Sequence, residues 1–122
     1  SEELPPRERG GLLLGVAATL GGLAVVLGAF GAHSLSLDPA ADAVFETANR
    51  YHLVHAVALG LTAIVPERVC RFSGGLFAAG IVLFSGSLYG LSLGGPSWLG
   101  PITPIGGVAF IAAWVMLPFK NL

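Results

Sequence analysis

Residues 72–119 read FSGGLFAAGIVLFSGSLYGLSLGGPSWLGPITPIGGVAFIAAWVMLPF, a stretch without any Asp, Glu, Lys or Arg. A membrane-spanning helix needs about 20 apolar residues, so this stretch is long enough for two crossings and too long for one. Gly94, Gly95 and Pro96 interrupt it near its middle. The sequence therefore predicts helices over about 72–93 and 102–119, joined by a short loop.

Two more apolar segments precede this stretch. Residues 11–32 form an apolar run of about 22 residues without a charged side chain, longer than the about 7–15 residues of a signal-peptide core. As a helix this run spans roughly 33 Å. Asp38 and Pro39 supply an N-cap and a first-turn proline for another helix over about 39–65, which Pro66 ends. We predict an all-α integral membrane four-helix bundle that forms one domain over residues 1–122.

The composition agrees with a chain that lies mostly in lipid. Of its 122 residues, 54% are hydrophobic and only 11% are charged, and the mean hydropathy is +0.80. A soluble core of this size cannot bury so much apolar surface, so the lipid bilayer is an expected partner. The net charge of −1 and the scattered cations exclude nucleic acid as a partner. Cys70 is the single cysteine, which excludes an internal disulfide.

The cations predict which way the bundle is inserted. Four crossings place both chain ends on the same side of the predicted membrane. Five of the six Lys and Arg residues lie on that side, and only Arg50 lies on the other. The positive-inside rule then places both termini in the cytoplasm, most simply at a bacterial inner membrane. The charged segment Ser1–Arg9 is expected to be disordered alone and to contact a partner, with Arg7 or Arg9 pairing to an acidic group or lipid phosphate.

Small residues recur at four-residue spacing along the predicted helices. Such residues let helix backbones approach closely in a bilayer, where apolar burial alone drives little association. The predicted packing positions are Ala24 and Gly28, Ala56 and Gly60, Gly86 and Gly90, and Ala109 and Ala113.

Polar residues are predicted to gather toward the outer end of the bundle. Residues of this kind are costly in a membrane and suggest a functional site. The candidate polar cluster comprises His33, Glu46, Arg50, Tyr51, His52, His55, Tyr89 and Thr103. Glu46 and Arg50 are four residues apart and can pair, and His52 and His55 share one helix face.

The two histidines admit several interpretations. Neutral imidazole suits a metal site, a pair of haem ligands or a proton-accepting group. Alternatively, the histidines hydrogen-bond Tyr, Thr or Ser across helices and fix the packing. No acidic residue shares their face, so we expect no metal and no cofactor. No nucleophile with a base and no phosphate-binding glycine loop occurs, so we expect no catalytic residues and no enzyme.

Four segments resemble a known family of membrane proteins. They are GAFGAH (28–33), FETANRYHLVHA (45–56), FSGSLY (84–89) and GPITPIGG (100–107). Together they are similar to domain-of-unknown-function family 423, the YgdD-like small membrane proteins, which implies four membrane helices and no established activity. Signature matches are His33, Phe45, Tyr51, His55, Ser85, Gly86, Tyr89, Thr103, Pro104 and Gly106. His52 departs from the family pattern, which weakens a two-histidine metal site.

Three functions remain open on the sequence alone. The leading hypothesis is a non-catalytic accessory or structural subunit that packs against a larger membrane complex, for example a respiratory or photosynthetic one. The second is a small transporter or ligand-binding bundle that uses the outer polar cluster. The third is a haem or metal membrane protein.

Overall fold

A computed structural model describes residues 4–121. The helices are α1 (Pro6–His33), α2 (Pro39–Ile64), α3 (Ser73–Gly80), α4 (Gly86–Ser92) and α5 (Ile102–Met116). A π-helical turn, Ile81–Ser85, connects α3 to α4 with no non-helical residue between them, and a 3-10 turn, Ser97–Leu99, precedes α5. Because α3, the π-turn and α4 form one continuous helix, four helices make up the bundle. The predicted all-α four-helix membrane fold is confirmed.

The central helix of the bundle is α2. By length and composition, three other segments are apolar enough to cross a membrane, Arg7–His33, Ser73–Ser92 and Ser97–Met116. The 26 residues of α2 span about 39 Å at 1.5 Å per residue but carry more polar groups. Nine of its residues are buried, because α1, α3, α4 and the π-turn pack around it. The bundle therefore encloses its polar helix and leaves its apolar helices toward lipid.

Helix α1 begins five residues before the predicted start at residue 11. Pro6 occupies its first turn, and the Arg9 guanidinium donates to the Pro66 carbonyl oxygen at 2.5 Å. The prediction that this segment is disordered on its own is therefore wrong for residues 6–9, where Arg9 bonds within the chain. The contact of the segment with a partner stays a prediction. Residues 1–3 of that segment lie outside the described residues.

The ends of the other helices have clear local causes. The Asp38 side chain accepts from the Ala41 amide at 2.8 Å, which confirms the predicted N-cap of α2. After α4, Gly94 adopts a φ of 85°, and the Gly95 amide donates to the Gly90 carbonyl at 2.7 Å. This is a Schellman ending, which needs a residue that tolerates positive φ. Helix α5 ends at Met116, three residues before the predicted end at 119.

The π-turn lies where α5 approaches most closely. The Gly86 amide bonds to the Ile81 carbonyl five residues earlier, which widens the helix at this point. A Cβ at Gly106 would overlap the backbone of Leu83 and Phe84, so α5 rests directly on the π-turn. Such turns interrupt α-helices rarely and often mark functional or strained positions. The sequence predicts an uninterrupted α-helix over these residues. The structure has a π-turn instead, at the place where the backbone of α5 contacts this helix.

The predicted small-residue positions occupy different environments. Ala24, Ala56 and Ala113 are at most 4% exposed, and Ala109 is half-buried. Gly28 lies against the Asn49 side chain, and Gly60 lies near Ala17. Two positions differ from the prediction of a helix–helix stripe. Gly86 is exposed with no atom within 4 Å of an added Cβ, and Gly90 packs against the Leu99 side chain of the loop.

Candidate functional site

The candidate polar residues do not form one cluster. The structure divides them into an outer network around Tyr89, an aromatic network around His55, a hydroxyl pair at Thr103, and three residues outside all of these. The reason is that His52 contacts α4 whereas His55, three residues later on α2, contacts α5.

The outer network joins three helices through Asn49 of α2. Its side-chain amide donates one hydrogen to the Ala24 carbonyl of α1 at 2.8 Å and the other to the Tyr89 hydroxyl of α4 at 3.0 Å. The Tyr89 hydroxyl also lies 2.9 Å from Nδ1 of His52. The Phe45 and Tyr89 rings meet edge to face, with centroids 5.1 Å apart. The network thus fixes α1 and α4 against α2.

The directions of these hydrogen bonds follow from the Ala24 carbonyl, which can only accept. Tyr89 accepts from Asn49, so the Tyr89 hydrogen is available for His52 Nδ1, which takes the accepting role. A neutral His52 then carries its hydrogen on Nε2. Among residues 4–121, Nε2 of His52 and Oγ of Ser85 are buried side-chain atoms without a hydrogen-bond partner. Within ordinary hydrogen-bond geometry His52 therefore bonds only Tyr89, although the Leu20 backbone of α1 also lies near its ring.

The aromatic network satisfies both nitrogens of His55. Nδ1 lies 2.7 Å from the Tyr51 carbonyl oxygen, and because a carbonyl only accepts, Nδ1 carries the hydrogen. Nε2 is left to accept from the Trp114 indole at 3.1 Å. The neutral tautomer is thus fixed by one neighbour on each side. With its lone pair engaged by Trp114, Nε2 has no free position for a metal or haem iron.

Rings enclose His55 on several sides. The imidazole stacks on Phe110 with centroids 3.6 Å apart and an 11° angle, and lies parallel to the Tyr51 ring at 5.8 Å. Phe77 meets Trp114 edge to face at 5.0 Å. Phe77 and Phe110 also belong to the main apolar core of the bundle. His55 is therefore a packed core residue that links α2 to α5.

Thr103 forms a separate pair with Ser87. Their hydroxyl oxygens are 2.5 Å apart, and the Ser87 hydroxyl donates to the Phe84 carbonyl at 3.0 Å. Because Ser87 has a single hydrogen, Thr103 is the donor between them. The pair ties the start of α5 to α4, next to the π-turn.

Three predicted cluster members lie outside the networks. His33 is exposed at the last residue of α1, and Glu46 and Arg50 are exposed on α2. Within residues 4–121, no salt bridge joins Glu46 to Arg50, although their spacing allows one. His55, which was predicted toward the outer end of the bundle, bonds Trp114 near the end of α5 and does not join the outer network.

The arrangement of the side chains does not support a metal site. In the described part of the chain, no three His, Cys, Asp or Glu residues come together in a way that could hold an ion. His52 and His55 share the inward side of α2, but their Nδ1 atoms meet different partners, Tyr89 and the Tyr51 carbonyl.

Sequence reasoning missed the residues that complete the networks. Asn49 is not among the candidate residues, yet its side-chain amide bonds to two other helices. Trp114 is not among them either, yet it donates to His55 while remaining 44% exposed. The spacing of Asn49, three residues before His52 and so on the same face, was the available signal. Nothing in the sequence pairs Trp114 with His55.

An open cleft of about 580 Å³ lies between α1 and α2 beyond the outer network. Asp42, Glu46 and Asn49 line it from α2, at spacings of four and three residues. Gly28 and Gly31 line it from α1, where an added Cβ would collide with Asn49 or Phe45. Side chains from α2 therefore present oxygen acceptors to this cleft while α1 presents a flat backbone.

The fold and these networks define a polytopic membrane bundle whose polar groups bond chiefly to one another. Comparison with known sequences places the chain more narrowly. The family described as "Protein of unknown function (DUF423)" matches residues 27–107, about two thirds of the chain. The chain belongs to this family, as the four sequence segments predicted.

Relatives over nearly the whole chain are bacterial membrane proteins. The UPF0382 membrane protein YwdK of Bacillus subtilis is 45% identical over 113 residues, which cover 87% of this chain and 90% of the relative. The UPF0382 inner membrane protein YgdD of Escherichia coli is 40% identical, covering 83% and 82%. No solved structure matches the chain. The predicted location in a bacterial inner membrane is confirmed by these relatives and by the apolar spans.

Proposed function

We propose that this protein is a non-catalytic accessory subunit whose α1 packs laterally against a transmembrane helix of a larger membrane complex. The observation that carries the proposal is the outward face of α1. Gly11, Gly15 and Gly22 have no atom within 4 Å of an added Cβ, and Ala18 between them is exposed. They recur at spacings of four, three and four residues, which places them on one face.

The outward face of α5 shows what a lipid-facing surface looks like in the same bundle. Its exposed residues are bulky, namely Ile105, Val108, Ile111 and Val115, each at least 60% exposed. Lipid chains accept bulky and small side chains alike, whereas a neighbouring helix backbone approaches closely only over small ones. Glycine within a helix also costs about 0.5–1 kcal/mol relative to alanine. A second helix on α1 accounts for both facts.

The bonds made by His55, Asn49 and Thr103 support a structural role rather than transport. Both ring nitrogens of His55 form hydrogen bonds inside the bundle. The side chains of Tyr89, Asn49 and Thr103 bond to neighbouring helices. A residue that passes protons or a substrate needs a free polar atom directed toward a path. These residues instead hold the four helices together, so that the bundle presents a rigid α1 face.

The test replaces small residues on that face. We expect the Gly15→Leu/Gly22→Leu variant to insert and fold normally but to lose the proteins that co-purify with the wild type in mild detergent. Gly86→Leu is the matched control, since Gly86 is equally exposed but neighbours the bulky Val82 on its own face. Retention of the same proteins by the α1 variant would contradict the proposal. Loss of self-association only would identify the partner as a second copy.

The cleft between α1 and α2 favours a second candidate, a bundle that binds an organic cation at its outer end. Its lining from α2 offers the carboxylates of Asp42 and Glu46 and the amide of Asn49 beside the apolar Phe45. A cation with an apolar portion fits such a lining. Thermal unfolding in detergent with a panel of alkylammonium ions tests it, because ligand that binds only the folded state raises the melting temperature. The Glu46→Gln variant should lose that increase.

A further inference from the structure

A cationic cleft lies at the end of the bundle that carries both chain termini. It has a volume of about 510 Å³ and is lined by Arg68, Pro118, Phe119, Lys120 and Asn121. Arg68 belongs to the connection between α2 and α3, and the other four residues follow α5. Two separate parts of the chain thus contribute one cation each.

Hydrogen bonds hold these two parts together. The Cys70 amide donates to the Leu117 carbonyl at 3.0 Å, and the Ser73 hydroxyl donates to the Ala113 carbonyl at 3.0 Å. Cys70 and Ser73 are at most 1% exposed, so these bonds are sheltered from solvent and lipid headgroups. The connection that bears Arg68 is therefore fixed to the end of α5, which sets Arg68 and Lys120 on the same cleft.

Among the described residues that line it, the cleft has two cations and no carboxylate. The neighbouring Glu67 faces a different groove together with Arg7. Within residues 4–121, neither Arg68 nor Lys120 makes a salt bridge, and the guanidinium of Arg71 lies 4.8 Å from the centre of the Phe72 ring. The cleft therefore offers two exposed cations to an external anion.

The position of the cleft indicates which anion is available. Lys120 lies just beyond α5, whose Val115 is 63% exposed, and directly after Phe119, which is 55% exposed. A molecule that fills the cleft meets cations on its polar side and lipid-facing apolar residues on the other. By the positive-inside rule this end faces the cytoplasmic leaflet, where the surface is negative.

We propose that this cleft binds the phosphate of one anionic phospholipid between Arg68 and Lys120, with the acyl chains of that lipid along Phe119 and α5. The proposal does not depend on the α1 interface, which lies on a different surface. Binding is electrostatic at the headgroup and apolar at the chains, so neither free phosphate nor a zwitterionic lipid satisfies both parts.

The test is native mass spectrometry of the full chain in detergent, titrated separately with phosphatidylglycerol, phosphatidylcholine and inorganic phosphate. We expect one retained phosphatidylglycerol, with an affinity about tenfold above that for phosphatidylcholine. The Arg68→Gln/Lys120→Gln variant should lose this preference. Lys120→Gln alone should weaken it, and circular dichroism checks that both variants stay helical.

Two control variants separate a defined cleft from general attraction to a charged leaflet. Arg7→Gln removes a cation at the same end but in another groove, and Arg50→Gln removes the cation from the other end. Both should keep the preference. Equal weakening by Arg7→Gln and Lys120→Gln would overturn the proposal in favour of diffuse attraction. Binding of inorganic phosphate as strong as that of phosphatidylglycerol would overturn the lipid assignment.

Discussion

The two sides of α2 hold their neighbours in different ways. Toward α5, His55 has both nitrogens bonded and stacks on Phe110 at 3.6 Å. Toward α1 and α4, His52 has one bonded nitrogen and one without a partner in the described residues, and Asn49 supplies most of the hydrogen bonds. His52 and His55 lie three residues apart on one helix, yet they differ in how many of their ring nitrogens are hydrogen-bonded.

This difference shows that a polar residue in a membrane bundle need not be a functional site. Burial without partners is costly, so natural bundles pair most of their polar atoms. On the α5 side, both nitrogens of His55 are hydrogen-bonded and its ring packs against other rings. On the α1 side, the hydrogen bonds run in series from the Ala24 carbonyl through Asn49 and Tyr89 to His52. We therefore expect substitutions on the α5 side to cost more stability than those on the α1 side.

The largest effect is expected at the contact between α5 and the π-turn. Gly106→Ala places a methyl group against the backbone of Leu83 and Phe84, which cannot move aside as a side chain can. We expect a loss of about 3 kcal/mol in the free energy of unfolding. Denaturation with SDS in mixed micelles measures it. The matched control is Gly107→Ala, whose Cβ meets the Phe84 ring at an ordinary 3.7 Å and should change stability little.

The next effect is expected at His55. His55→Ala removes the stacking on Phe110 and leaves the Trp114 indole without its acceptor, so we expect a loss of about 1–2 kcal/mol. His55→Phe keeps a ring in the stack and should recover part of that loss. Metal analysis of the wild type accompanies the measurement. Stoichiometric metal that disappears in His55→Ala would contradict the structural role.

A smaller effect is expected on the α1 side. Tyr89→Phe and His52→Leu both break the Tyr89–His52 bond, so the double variant should be less destabilised than the sum of the single variants. We expect a coupling of about 0.6 kcal/mol, the average for hydrogen bonds between membrane helices. Additive single effects would mean that this bond contributes nothing. A cost for His52→Leu larger than that for His55→Ala would reverse the comparison of the two sides.

The smallest effect is expected at the exposed charges of α2. Glu46→Gln and Arg50→Gln should each change the free energy of unfolding by less than about 0.5 kcal/mol, because both side chains are exposed and no salt bridge joins them. The same unfolding assay checks this. A coupling between the two variants above that value would show that they pair in the membrane.

The sequence identifies most of the polar residues of the site, but it does not predict which residues they contact. His52, His55, Tyr89 and Thr103 stood out because polar groups are costly in an apolar chain. Their division into separate networks depends on which neighbour each residue faces, and a helix period alone does not give this. Tryptophans near helix ends commonly lie at the membrane interface, and that general preference does not predict the hydrogen bond that Trp114 donates to His55.

The sequence by itself determined that this protein lies in a lipid bilayer and that it has four helices. Apolar runs of fixed length, the Asp38–Pro39 start and the Gly94–Pro96 break are local signals, and local physics is sufficient to interpret them. The tertiary structure alone decided the π-turn beneath Gly106, the bond from Arg9 to Pro66, and the joining of Arg68 and Lys120 in one cleft. Each of these depends on a meeting of residues far apart in the chain, and no periodicity along one helix specifies such a meeting.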